Sequence, residues 1–115
     1  MQNIKRYGMV IGIKPAKIEE YEKLHANVWP DVLKVIKKCN ICNHSIYLRE
    51  LERGKYYLFS YIEYTGFNFD ADMKKMAAEP IMQKWWRSCE PCQEPVETGN
   101  GSQWWTKMEE VFHMD

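Results

Sequence analysis

Two alternating runs joined by four residues constrain this chain more than any other feature. From Ile41 to Glu50, His44, Ile46 and Leu48 alternate with Asn43, Ser45 and Tyr47. From Lys55 to Tyr64, Tyr57, Phe59 and Tyr61 alternate with Tyr56, Leu58, Ser60 and Ile62. A period of two sends successive side chains to opposite faces, so both runs read as strands. The link Leu51-Glu52-Arg53-Gly54 is too short for a crossover, and its glycine supplies a positive φ, so the pair must be an antiparallel hairpin. A third alternating run, Lys5 to Lys14, puts Tyr7, Met9, Ile11 and Ile13 on one face and Gly8, Val10 and Gly12 on the other. The glycine-bearing face leaves room for a close neighbour.

Between the first strand and the hairpin the period changes. Pro15 ends the strand, and about Ala16 to Asn27 reads as a helix with Ile18, Tyr21, Leu24, His25 and Val28 on one stripe. Glu19, Glu22, Lys23 and Asn27 take the solvated side. Trp29-Pro30 stops this helix, because a residue before proline is pushed out of the helical region. Pro30 and Asp31 suit the first turn of a second helix, about Asp31 to Cys39, with Val32, Val35, Ile36 and Cys39 inward and Asn40 as its cap. After the hairpin, Asn68 to Met76 and a helix starting at Glu79-Pro80 complete the helical part. Pro91 to Gln103 reads as a loop long enough to be functional. Trp104-Trp105 stands at its end, and Lys107 to Met114 reads as a closing strand. The order β-α-β-β-α-β is the ferredoxin-like pattern, an α+β class. Helices cover one face of such a sheet. The apolar residues on the other face call for a partner, and a homodimer pressing two sheets into a barrel is the expected answer.

The chain has 115 residues, which fits one domain spanning residues 1–115 with a sizeable core. Sixteen basic and sixteen acidic residues cancel, so no net field attracts nucleic acid or an anionic membrane. No apolar run is long enough for a signal peptide or a membrane span, and the expected location is cytoplasmic. Neither a glycine-rich phosphate loop nor a Gly-x-Ser-x-Gly turn is present.

The chemistry concentrates on the first helix. Tyr21 and His25 are one turn apart on its inward face, beside the break at Trp29-Pro30. A histidine in that place also fits a purely structural role. Two C-x-x-C pairs, Cys39-Cys42 and Cys89-Cys92, match zinc by count. However, they are far apart in sequence, lack a knuckle glycine and sit at helix C-termini, where the dipole does not lower thiol pKa values. They read as reduced thiols, with no metal. Trp85 and Trp86 point about 100° apart on a helix. Periodicity with Met82 and Cys89 puts Trp85 inward and leaves Trp86 to border a cavity. Aromatic faces and neutral polar groups suit a sugar, and Tyr21, His25, His44 and Trp86 would line such a pocket.

These residues resemble a known family. Glu20-Tyr21-x-x-x-His25-x-x-x-Trp29-Pro30, Asn43-x-x-Ile46-Tyr47-Leu48, Trp85-Trp86 and Glu110-Val111-Phe112 are similar, in order and over nearly the whole chain, to L-rhamnose mutarotases. The resemblance implies a dimeric α+β barrel that interconverts the α and β anomers of L-rhamnose or a related 6-deoxy sugar without a cofactor. It also implies that His25 is the catalytic proton donor, that Tyr21 and His44 contact the sugar, and that Trp85 and Trp86 form part of the binding wall. The chain departs from the pattern at His44, where the best-known members carry tyrosine, at the four cysteines and at Trp104-Trp105. Those departures make L-fucose a realistic alternative to L-rhamnose.

Mutarotation needs a base at the anomeric hydroxyl and an acid at the ring oxygen, with no large charge to stabilise and hence no metal. A histidine with a pKa near ~6.5 serves either way, and burial favours the neutral imidazole at the outset. Its counterpart could be Tyr21, His44 or water. Other readings of the same residues are a non-enzymatic ligand-binding module on this barrel and a cofactor-free oxygenase acting on an aromatic substrate.

Overall fold

Strand β1 (Lys5–Ile13) runs through the middle of the sheet in the computed structural model, which describes residues 3–96 and 104–115. A single 3-10 turn at Pro15–Lys17 leads into α1 (Ile18–Ala26). Glu19 and Glu20 in its first turn and Lys23 in its last complement the helix dipole. Trp29 is extended (φ −58°, ψ 131°), as a residue before proline must be, and Pro30 opens α2 (Pro30–Lys38). Helix α2 is stopped by Asn40 at φ 68°, the left-handed cap its sequence suggested.

The hairpin follows as β2 (Ile41–Glu52) and β3 (Lys55–Tyr64). Strand β3 has the expected bounds, while β2 reaches two residues further than expected, so the turn shrinks to Arg53-Gly54, with Gly54 at φ 80°. Helix α3 (Phe69–Ala77) is capped by Asn68, whose side-chain oxygen accepts from the Ala71 N–H at 3.0 Å. Helix α4 (Pro80–Cys89) starts on its proline.

The sheet order is β2-β3-β1, and β1 pairs with β3 from Lys5↔Tyr64 to Ile13↔Tyr56. This register puts Ile11 beside Leu58, Met9 beside Ser60 and Tyr7 beside Ile62, all on the helix-covered face. Ile11, Leu58, Ile62 and Tyr64 are at most 4% exposed and meet Val32, Met82 and Trp85 from the helices. The opposite face carries Val10, Tyr57, Phe59 and Tyr61 with no helix over it.

Two sequence expectations change at the free edge of β1. The expected loop from Pro91 contains β4 (Gln93–Glu94), which pairs with Ile13 and Gly12. The expected closing strand is shorter: β5 (Thr106–Met108) pairs with Val10, Met9 and Gly8. The partners on β1 therefore run from Ile13 down to Gly8, with only Ile11 skipped between the two segments. β4 and β5 are two parts of one edge strand, left after Glu94 and rejoined at Thr106. Beyond Met108 the backbone leaves the ladder, and Arg6 instead holds Glu110 through two side-chain hydrogen bonds of 3.0 and 2.8 Å. Among the described residues, the tail beyond Met108 pairs with no neighbouring strand. The stretch 97–103 of the expected loop lies outside the described residues.

Gly12 is required by this edge. A Cβ there would come within 2.6 Å of the Glu94 carbonyl oxygen. Gly12→Ala is expected to lower stability by about 1–3 kcal/mol, as overpacking does, in urea unfolding monitored by circular dichroism. Unchanged stability would mean that β4 is not seated on β1.

Candidate active site

The inward stripe of α1 places Tyr21 and His25 against the sheet. Tyr21 is 5% exposed and His25 half-buried. Their rings stack with centroids 4.2 Å apart and planes 25° apart. The His25 Nδ1–H donates to the Tyr21 carbonyl oxygen at 3.0 Å. A carbonyl can only accept, so in the neutral ring the proton sits on Nδ1 and the lone pair on Nε2. Burial lowers the His25 pKa below its ordinary value, and the bond to the Tyr21 carbonyl opposes that only in part. The ring is therefore a neutral base at physiological pH. Burial raises the Tyr21 pKa well above the ordinary phenol range, although a hydrogen bond from Gln93 works against it. Tyr21 keeps its proton.

Trp85 completes the aromatic wall. It is 6% exposed and meets His25 edge-on, with centroids 5.2 Å apart at 63°. Trp29 meets Trp85 in turn at 5.0 Å and 73°. The sequence placed Trp85 inward and Trp86 at a cavity border. Trp85 is indeed the more buried ring, but it is also the one against His25, whereas Trp86 packs half-buried on the core. Trp29, read from sequence only as the residue before a helix break, is part of the same cluster.

His44 sits at a bulge in β2 and is not among the residues that line the cleft beside Tyr21 and His25. The pairing of β2 with β3 shifts between Cys42↔Glu63 and Ser45↔Tyr61, with Asn43 at φ 48°. The extra residue lets Ile41 and Ile46 both face the helices despite their odd separation. His44 lies within 3.4 Å of the Ser60 hydroxyl. The residue keeps an exposed edge, but its ring is set low against Ser60. Burial is the main reason its pKa is lowered, and charge on His25 is the second.

Tyr21 and His25 open onto a cleft of about 170 Å³ between α1 and the sheet. Its other walls are mostly apolar, from Ile13, Ile18, Ile46, Leu48 and Leu58, with Glu22 and Tyr47 beside them. Small-molecule sites usually start near ~300 Å³, so this one suits a single small ring. A larger surface depression beside Glu19, Glu20 and Lys23 lies on the outer side of α1 and touches neither Tyr21 nor His25.

The polar support for Tyr21 comes from the split edge strand, which no sequence signal tied to the site. Gln93, 6% exposed, donates from Nε2 to the Tyr21 hydroxyl oxygen at 3.2 Å. The Trp104 indole N–H donates to Gln93 Oε1 at 2.6 Å. The adjacent tryptophan pair was the one visible hint.

Of the four free cysteines only Cys89 and Cys92 lie near Tyr21. Cys39 is buried and Cys42 exposed, so that pair points apart. Cys89 and Cys92 are both buried, and burial pushes the Cys89 thiol up to about 12. The Cys92 thiol donates to Glu20 at 3.4 Å, tying the turn after α4 to α1. Among the described residues no three histidine, cysteine or acidic side chains converge as metal ligands would.

The β-α-β-β-α-β sheet with a stacked tyrosine and histidine under its first helix defines a ferredoxin-like α+β protein. The L-rhamnose mutarotase profile matches residues 6–114. The L-rhamnose mutarotase of Oceanobacillus iheyensis is 36% identical over 112 residues, covering 97% of this chain and all of that protein. The chain belongs to the L-rhamnose mutarotase family. In fold it is similar to the solved L-rhamnose mutarotase of Formosa agariphila (TM-score 0.72, 20% identity, covering 96% of this chain and 99% of that one). It is also similar to the tetracenomycin F2 cyclase of Streptomyces glaucescens, a type-II polyketide cyclase (TM-score 0.70, 14% identity, 96% and 97% covered).

Truncating the two tryptophans is expected to separate their roles. Trp85→Ala should cost about 3–5 kcal/mol, as large buried aromatics do, and free the His25 ring. Trp86→Ala should cost clearly less in the same thermal and urea unfolding measurements. Equal losses would contradict the assignment of Trp85 as the more buried ring of the pair.

Proposed function

We propose that this protein is a sugar mutarotase that interconverts the α and β anomers of L-rhamnose or a closely related 6-deoxy sugar. The observation that carries the reading is the tied-off imidazole. With Nδ1–H held by the Tyr21 carbonyl, His25 offers Nε2, unprotonated and half-buried, to the cleft. Family membership supplies the sugar class, and the apolar walls suit a methyl group where other hexoses carry a hydroxymethyl.

His25 Nε2 takes the proton of the anomeric hydroxyl. The carbon–oxygen bond of the ring breaks as the ring oxygen gains a proton, giving the open-chain aldehyde. Rotation about the first carbon–carbon bond turns the other carbonyl face to the hydroxyl. Ring closure then reverses both proton movements. Over a full turnover His25 accepts and returns one proton, so it serves as base in one half and as acid in the other. Tyr21 and His44 hold the sugar's oxygens, and Trp85 walls the site. On this reading Trp86 also contributes to the wall.

Residues 1–115 act here as one domain, and we place a second copy against the uncovered sheet face. Tyr47 on that face is 64% exposed, and Val111, Phe112 and Met114 in the tail are 77–87% exposed. Apolar surface of that kind belongs against a partner. A cytoplasmic location agrees with four reduced cysteines. None of the described helices is long and apolar enough to cross a membrane.

His25→Ala is expected to stay folded, bind sugar and slow anomer exchange about 10²–10⁴-fold, read by NMR saturation transfer across L-rhamnose, L-fucose and common hexoses. The wild-type rate should be flat near neutrality. It should fall as pH drops through the His25 pKa, which lies below the ordinary ~6.5, because protonation removes the base. Exchange at the wild-type rate by His25→Ala would make His25 structural. In solution the protein should be a dimer by light scattering at micromolar concentration, and a monomer there would overturn the assembly.

A further inference from the structure

The mutarotase reading leaves open which way the Tyr21 hydroxyl hydrogen points, and the split edge strand answers it. Indole N–H can only donate, so the oxygen of the Gln93 amide must face Trp104, as the 2.6 Å contact has it. The amide is planar, so its NH2 end is then turned to Tyr21, at 3.2 Å. Tyr21 therefore receives this bond on its oxygen. Its own hydrogen is left over, with no acceptor among the described residues. The hydroxyl ends beside the Ile13↔Gln93 pair, and Ile13 is itself a wall of the cleft.

We propose that Gln93 and Trp104 are positioning residues that fix Tyr21 as a hydrogen-bond donor to the bound sugar, so that the proton for the opening ring oxygen comes from the Tyr21 side. This rests on the mutarotase reading and deepens it. Without the indole, the Gln93 amide can rotate by half a turn and offer its oxygen to Tyr21. The phenol would then donate to Gln93 and present only a lone pair to the sugar. The ring oxygen gains negative charge as its bond to the anomeric carbon breaks, so a donor there acts more strongly in the transition state than in the bound sugar. The cost of reversing the chain should appear in kcat rather than KM.

Gln93→Glu reverses the direction with little change of shape: a carboxylate accepts from both Trp104 and Tyr21, so both bonds persist while the Tyr21 hydrogen is drawn away from the cleft. Trp104→Phe keeps an aromatic ring at a 42% exposed position and removes only the N–H. In saturation-transfer NMR over a range of sugar concentrations, Gln93→Glu is expected to lower kcat on the order of 10²-fold, the scale for losing one preorganised donor. Trp104→Phe should lower it less, with KM nearly constant in both. Placed in a Tyr21→Phe background, neither change should lower the rate further, because the hydroxyl they act through is already gone. Wild-type kcat in both single variants, or losses that multiply with that of Tyr21→Phe, would overturn the proposal.

A second arm needs no activity. In nitrogen-15 spectra the Gln93 side-chain NH2 resonances should move in Tyr21→Phe, and again in Trp104→Phe. If they stay in place, the bond chain is absent and the proposal fails. If they move while the wild-type protein exchanges no sugar's anomers, the mutarotase reading fails and the orienting chain stands.

Discussion

A buried phenol is the constraint on which the site depends. Tyr21 is carried into the interior by the apolar stripe of α1, and its ring packs where the core needs it. Burying the hydroxyl without a partner would cost on the order of 1–3 kcal/mol, so some neighbour must bond it. That neighbour is Gln93, which β4 delivers by pairing with the end of β1. Gly12 lets β4 approach, and Trp104 orients the amide once the chain returns to the edge. One polar atom thus links α1, the central strand and both parts of the edge strand.

The same burial sets the chemistry. Desolvation disfavours charge, so it lowers the pKa of an imidazole and raises that of a phenol. His25 and Tyr21 share one environment and are pushed apart in their proton preferences: one is left empty-handed and the other loaded. Ring opening of a neutral sugar requires one group of each kind. The stack between the two rings keeps them in fixed relation, and Trp85 closes the third side.

The scaffold by itself does not dictate that use. A sheet of closely similar shape serves as a type-II polyketide cyclase in Streptomyces glaucescens. The function lies in which side chains line the cleft, here aliphatic residues with one imidazole, a carboxylate and the ring of Tyr21. The bulge at Asn43 illustrates how little backbone change this takes. One extra residue returns Ile46 and Leu48 to the covered face and sets His44 beside Ser60.

Local pattern sufficed for the helices, the hairpin and the pairing of Tyr21 with His25, because a stripe at helical spacing and a period of two are properties of consecutive residues. The Trp29-Pro30 break and the Asn40 cap were equally legible, since proline and left-handed backbone act within one or two residues. Trp85 as the inward ring followed from its spacing to Met82 and Cys89. What stayed hidden depends on residues distant in sequence. β4 and the early end of β5 are decided by which stretch of β1 is still unpaired, and a strand pattern such as that of the tail has no force without a neighbour. The contacts of Trp29 and Trp85 with the site, and the bonds from Trp104 through Gln93 to Tyr21, join residues that only tertiary packing brings together. The sequence by itself determined that a tyrosine and a histidine would face inward side by side. Only the folded chain decided which atoms of each are tied off and which are left for a substrate, because hydrogen-bond direction is fixed by partners in space and not by spacing along the chain.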